Sequence, residues 1–366
     1  MNNDPAEISK GSSEGRLSQK PKNQPRPWAV LTRSQLVLVV ALLGSLGISS
    51  LSNYINDYYL QVILIVGINI TLAVSLNLVN GYTGQFSLGH AGFMAVGAYT
   101  CAAITLYGGP KFFAAVGGSG ALATSSLFLG ALLAGGVTAA IAGLVVGIPS
   151  LRLKGDYLAI VTLGFGEIIR VIFRNIDSLG GALGLNGLPP YTTFFWTYGV
   201  VAITIYVVVS MVHSTYGRGF LAVHDDEVAA EAMGINTTRY KITAFVVGAF
   251  FAGVTGGIYA HAVGSIDPLG FGFMRSIEIV VMVILGGMGN TPGVIIAAVL
   301  LTLLPEGLRA LSSYSLPLPF LPEAWRGLGW IKDTRMIIYS LLLIVLMLTR
   351  PQGLFAFRKG IKAGDR

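Results

Sequence analysis

Long apolar runs broken by short polar stretches repeat along almost the whole chain. About 20 apolar residues suffice to cross a bilayer as a helix. On that rule the sequence predicts about ten transmembrane or re-entrant helices, at 34–52, 58–79, 88–107, 127–147, 157–173, 198–213, 241–264, 276–287, 292–311 and 336–349. The third, fifth and eighth are short or carry polar residues, so each also reads as a re-entrant segment. Two runs have small residues at every fourth position. One holds Gly135, Ala139, Gly143 and Gly147; the other holds Gly248, Ala252, Gly256 and Ala260, flanked by Ala249, Gly253 and Gly257. Such stripes let helices approach closely where no hydrophobic force draws them together. They predict packing faces rather than a solute lining. The expected fold is an all-α integral membrane protein.

Composition supports this. Hydrophobic residues make up 53% of the chain and charged residues 11%, and mean hydropathy is +0.70. Soluble domains carry about 25% charged residues, so a soluble fold of this length could not cover its surface. A single cysteine, Cys101, excludes an intrachain disulfide and a cysteine metal cluster; it sits in an apolar run and is expected to be packing. The net charge of +7 does not point to nucleic acid, because the basic residues gather near the ends instead of forming a patch. Residues 1–33 are polar without periodicity and are predicted to be a disordered cytoplasmic arm. That arm is too long for a cleavable signal, so the first span is expected to remain as an anchor. Residues 34–349 form the membrane domain and 350–366 a basic cytoplasmic tail. Sixteen of the 24 Lys and Arg residues lie in the arm, at Arg152 and Lys154, at Arg218, Arg239 and Lys241, and beyond Thr349. All fall on one side if both termini are cytoplasmic, as the positive-inside rule asks.

The most charged interior stretch is 216–234, within a polar insert at 214–240 that the charge count places in the cytoplasm. Asp225, Asp226, Glu227 and Glu231 lie within seven residues. The segment 225–234 is predicted to be one short helix. Asp225 or Asp226 caps its start, acids complement its positive end, and Gly234 stops it by turning left-handed. Val228, Ala229, Ala232 and Met233 share a face, while Gly217 and Gly219 around Arg218 allow a tight exit from the membrane. At about nine residues this helix is too short to stand alone and needs a surface. Small alanines ringed by acids suit docking in a partner's groove better than membrane contact, which favours basic and bulky apolar residues.

Two glycine-rich breaks interrupt the apolar pattern. Residues 77–97 (NLVNGYTGQFSLGHAGFMAVG) bring Asn80, Gln85, Ser87 and His90 among five glycines. Irregular backbone at membrane depth needs protein or water around it. The stretch therefore reads either as a broken helix beside a translocation pathway or as a surface loop with a flexible helix start. No second His or Cys stands at metal-ligand spacing from His90, and no metal site is expected. Residues 285–293 (LGGMGNTPG) form the second break. It lacks the Lys-Ser/Thr of a P-loop, and no P-loop occurs elsewhere. Within the fifth span, Glu167 and Arg170 can pair at i, i+3. Arg170 and Arg174 read as interfacial, whereas Glu167 stays a pathway candidate because an ionisable residue within a span is a functional candidate by default. Glu278 has the same ambiguity, with no partner evident. Trp325 and Trp330 in the Pro-rich 312–335 segment are expected to anchor at the interface. No nucleophile, base and orienter can be assembled, so no catalytic residue and no enzyme activity are expected.

Glu231-Ala232-Met233-Gly234 resembles the E-A-x-G core of the coupling loop in ABC importer permeases. The run AVHDDEVAAEAMGI (222–235) is similar to the form found in the branched-chain amino acid permease family. So are GYTGQFSLGHAGFMAVGAYT (81–100), GDYLAIVTLGFGEIIR (155–170) and LGGMGNTPG (285–293). The matches keep the family's order over roughly 60–310; the long arm and the 312–335 segment depart from it. The resemblance implies ABC importer permease architecture in the bacterial inner membrane, in contact with membrane lipid. The expected substrate is a branched-chain or other neutral amino acid. It implies three kinds of companion: a homologous second permease, two ATP-binding subunits that hold the ATP, and a periplasmic solute-binding protein; it implies no cofactor on this chain. Arg218, Asp225, Asp226, Glu227, Glu231, Ala232 and Gly234 would then form the ATPase contact, and Asn80, Gln85, Ser87, His90 and Glu167 the candidate pathway. Alternatives are a urea or short-chain amide permease of the same class, or an ion-gradient transporter using Glu167 or Glu278.

Overall fold

The computed structural model describes residues 33–51, 56–118, 120–150 and 156–312, with isolated positions between 337 and 353. The arm up to residue 32, Arg152 and Lys154, the 313–335 segment, most of the 336–349 span and nearly all of the tail lie outside the described residues.

The described chain is helical throughout. In order it forms α1 (Arg33–Leu51), α2 (Asp57–Asn77), α3 (His90–Ala103), α4 (Gly109–Val116), α5 (Ala121–Ser150), α6 (Asp156–Arg174), α7 (Phe194–His213), α8 (Gly217–Asp225), α9 (Glu227–Ala232), α10 (Thr237–Val263), α11 (Phe273–Gly286) and α12 (Thr291–Ser312). Two-residue strands β1 (Leu185–Asn186) and β2 (Ser265–Ile266) pair antiparallel, tying the loop after α6 to the end of α10.

Among the described residues seven helical runs are long and apolar enough to cross a membrane; of the ten expected transmembrane or re-entrant segments, the one at 336–349 lies mostly outside them. Two that looked short are full length. A π-helical turn at Ile104–Gly108 carries α3 into α4, and a 3-10 turn at Pro268–Phe271 leads into α11, giving continuous runs of 27 and 19 residues. The 157–173 segment is helical as α6, but Asp156, Glu167, Arg170 and Arg174 make it too charged to stand among the seven. The apolar part of α1, Leu38–Ser49, is too short.

The core is the mutual crossing of α3, α5 and α10, and glycine sets its spacing. A Cβ on Gly97 would lie 2.1 Å from the Gly253 carbonyl oxygen, and one on Gly135 would lie 2.8 Å from that of Gly97. No side chain fits between these backbones, so their contact is direct and dispersion-driven, as in membrane helix pairs generally. The small-residue stripes predicted in α5 and α10 thus face each other and α3. Cys101 is fully buried in this core. Two buried hydroxyls bond back along their own helix, Thr105 to Cys101 O and Thr255 to Phe251 O.

Gly253→Val should therefore be severely destabilising, because overpacking costs about 1–3 kcal/mol even where the backbone can shift. Gly130→Val, on an exposed part of α5 with nothing within 4 Å of a new Cβ, should be near neutral. Thermal unfolding midpoints in detergent compare the two; equal midpoints would remove the glycine crossing as the organising contact.

Candidate functional site: a helical hairpin seated on two glycine breaks

The polar insert holds a second helix before the one expected at 225–234. α8 occupies Gly217–Asp225, where the two glycines suggested a tight exit. Both are needed for close approach: a Cβ on Gly217 would lie 2.0 Å from Val212 O, and one on Gly219 2.3 Å from the Tyr240 ring. Phe220 and Val223 bury the underside of α8, and Phe220 meets the Tyr216 and Tyr240 rings edge-on. Arg218 is on the exposed side. Asp226 then takes an extended conformation and breaks the helix. Its carboxylate accepts from the N–H groups of Val228 (2.9 Å) and Ala229 (3.0 Å) and so starts α9. Of the two candidate caps it is Asp226 that serves; Asp225 is exposed beside His224. Gly234, at φ +82°, closes α9 with its N–H on Glu231 O and the Ile235 N–H on Ala230 O. Space around it is open, so its requirement is conformational.

Two of the acids point inward. Lys241 Nζ donates to Glu227 Oε1 at 2.6 Å with the lysine nearly buried, and Thr237 Oγ1 donates to Glu231 Oε1 at 2.7 Å. Both bonds pin α9 to the start of α10, and Ala230 is buried beneath. This internal use was not read from the sequence; the distance of 14 residues between Glu227 and Lys241 hides it. The opposite face is open. Val228 is 66% and Met233 81% exposed, and Ala229 and Ala232 are exposed between them. An anchored helix therefore presents a small apolar face to solvent.

Under this hairpin the two glycine breaks meet. α2 runs into a π-helical turn at Leu78–Tyr82, and the chain then passes without regular structure to Gly89. Asn77 Oδ1 accepts from Gly289 N at 3.0 Å, and Tyr82 and Thr291 share a 2.8 Å hydroxyl bond. A Cβ on Gly81 would lie 2.3 Å from Gly289 N, and one on Gly84, at φ +68°, would lie 3.2 Å from the His224 ring. The C-terminal end of α8 thus rests on the first break, and the first break rests on the second.

Four of the five pathway candidates are buried here. Asn80 Oδ1 accepts from Ser87 N at 3.2 Å, Gly89 N donates to Ser87 Oγ at 3.5 Å, and His90 Nε2 lies 2.9 Å from Ser75 Oγ. Gln85 is buried with neither side-chain polar atom paired, and the amide nitrogens of Asn77 and Asn80 are also unpaired. Glu167 is elsewhere. It pairs with Arg170 at 2.6 Å and rims a narrow cleft with Gly92, Gly166, Gly272, Phe273 and Ser276. Glu278 does have a partner: Arg275, three residues earlier, at 2.9 Å. The i, i+3 spacing that revealed Glu167–Arg170 was equally available there. Arg275 also donates to Asn69 Oδ1 at 2.8 Å, and Asn69 donates to Thr302 Oγ1 at 2.8 Å, joining α11, α2 and α12.

The family described as "Branched-chain amino acid transport system / permease component" matches residues 58–347. The high-affinity branched-chain amino acid transport system permease protein LivM of Salmonella typhimurium is 34% identical over 322 residues, 78% of this chain and 67% of that protein. A probable branched-chain amino acid transport permease protein LivM of Methanocaldococcus jannaschii is 25% identical over 81% of this chain and 93% of its own. The permease protein LivH of Escherichia coli is 31% identical over 155 residues, 42% of this chain and 43% of its own. No solved structure matches. With most of its length covered by the family and by the two LivM relatives, this multi-pass membrane chain belongs to the branched-chain amino acid transport permease family.

Proposed function

We propose that the chain is the permease subunit of a binding-protein-dependent ABC importer for branched-chain or other neutral amino acids. The observation that carries this is the open face of α9, Val228, Ala229, Ala232 and Met233, held on an internally pinned hairpin. A short helix fixed on one side and apolar on the other suits a groove on a partner. In this reading the hairpin lies in the cytoplasm with both termini, in the bacterial inner membrane. Two ATP-binding subunits receive α9, a homologous LivH-like permease completes the membrane pair, and a periplasmic protein delivers the solute. The chain carries no P-loop, so ATP is held by the partners.

The geometry also supplies a path for motion. Displacement of α9 pulls on α8, whose His224 rests on Gly84, and so reaches the break that holds Asn80, Gln85, Ser87 and His90. Unpaired buried amides cost roughly 1–3 kcal/mol each. Those of Gln85, Asn77 and Asn80 would find partners in water, solute or moved backbone once the break opens. The ion-gradient alternative is less well supported, because Glu167 and Glu278 are both ion-paired.

Three outcomes are expected. Ala232→Arg, which touches none of the hairpin's internal bonds, should reduce copurification of the ATPase subunits and uptake at least about tenfold, equivalent to ~1.4 kcal/mol, while membrane insertion is unchanged. Wild-type copurification would refute the docking face. Glu227→Gln and Lys241→Met should be non-additive in a double-mutant cycle of stability, with a coupling of roughly 0.5–3 kcal/mol; additivity would mean the pair does not hold α9. Gln85→Leu should raise the unfolding midpoint, by removing two unpaired polar atoms, yet slow uptake. Raised stability with wild-type uptake would exclude Gln85 from the moving break.

A further inference from the structure

Most exposed positions on the spans are what lipid requires. On α5 the outward residues Leu129, Leu133, Val137, Ile141, Leu144 and Ile148 are all apolar. One edge of the bundle departs from this. Along α6 and α11, Glu167 and Arg170 are 32% and 27% exposed at the side chain, and Glu278, paired to Arg275, is 51% exposed. The two helices border one cleft, in which Glu167 and Gly166 face Gly272, Phe273 and Ser276. Glu278 is near the middle of the Pro268–Gly286 run, and Arg275 reaches Asn69, near the middle of Asp57–Tyr82. Arg275 and Glu278 are therefore near the middle of their run, and Glu167 faces the first turns of α11 across the cleft.

A charged residue at that depth costs ~2.5–3.5 kcal/mol on an insertion scale, and such residues normally face a bundle interior or a water-filled cavity. Pairing within one helix lowers this cost but does not cover a carboxylate that is half open. We infer that the α6–α11 edge is the face turned toward the second, homologous permease subunit and the polar route between the two, and not toward lipid. This rests on reading the chain as half of a permease pair. It adds Arg275 and Glu278 to Glu167 as groups on that route. The Arg275 guanidinium is held in place from behind by Asn69, which Thr302 orients in turn. The edge thus offers two ion pairs, Arg170–Glu167 and Arg275–Glu278, a net-neutral polar surface that a homologous subunit can meet without stranding a charge.

The test uses the full, unsubstituted importer in proteoliposomes. A lipid-partitioned aryl diazirine is photolysed; it loses dinitrogen, and the carbene inserts into C–H bonds of the residues that lipid touches, which mass spectrometry of peptides locates. The expected result is that the 129–141 stretch of α5, with Leu129, Leu133, Val137 and Ile141 outward, takes up at least about tenfold more label than the 274–278 stretch of α11, which the second permease shields. Equal labelling of the two stretches, with the second permease still copurifying, overturns the inference alone. If the second permease does not copurify with the unsubstituted chain, the reading beneath it falls and the inference with it.

Discussion

Backbone groups cannot be left unpaired in hydrocarbon, yet this chain gives up helical geometry at two places deep in its sequence. The structure reconciles these facts by burying the breaks in one another. Gly81 and Gly289 bring the two backbones into contact, the Asn77 carboxamide accepts from Gly289 N, and Tyr82 bonds Thr291. The glycine crossing of α3, α5 and α10 holds the remaining helices around this contact. Without side chains at Gly97, Gly135 and Gly253 the three backbones touch, and α3 begins where the first break ends.

The hairpin depends on the same contact. α8 covers the first break through His224 over Gly84, and α9 is tied to α10 through Glu227–Lys241 and Glu231–Thr237. It is thus joined both to a part of the fold with unpaired buried amides and to a long helix at the core. In the proposed coupling, a force on the exposed face of α9 would reach both the first break and α10. That division suits a device that moves a break while the bundle stays assembled.

Much of this was legible in the sequence because the membrane restricts the alternatives. Apolar run length located the helices, four-residue spacing of glycine and alanine located the packing faces, and Asp226 and Gly234 marked the ends of α9 by cap chemistry. Span number was less legible. Run length counts α6 by its apolar residues, while its four charges set it apart, and it cuts α3 and α11 short where π and 3-10 turns extend them. The helix expected at 225–234 is present as α9, but α8 before it was not read from the sequence. Gly217 and Gly219 sit inside α8 and make room for Val212 O and the Tyr240 ring, a tertiary demand that local pattern does not encode. The internal bonds of Glu227 and Glu231 were hidden for the same reason: a run of acids looks like a solvated face until its partners are folded back onto it.

The most direct measurement is solute uptake into proteoliposomes holding this chain with its second permease, ATP-binding subunits and binding protein. Branched-chain amino acid should enter only when ATP is supplied on the side of the α8–α9 hairpin. Uptake driven by a proton or sodium gradient in vesicles that lack the ATP-binding subunits would contradict the coupling role of that hairpin.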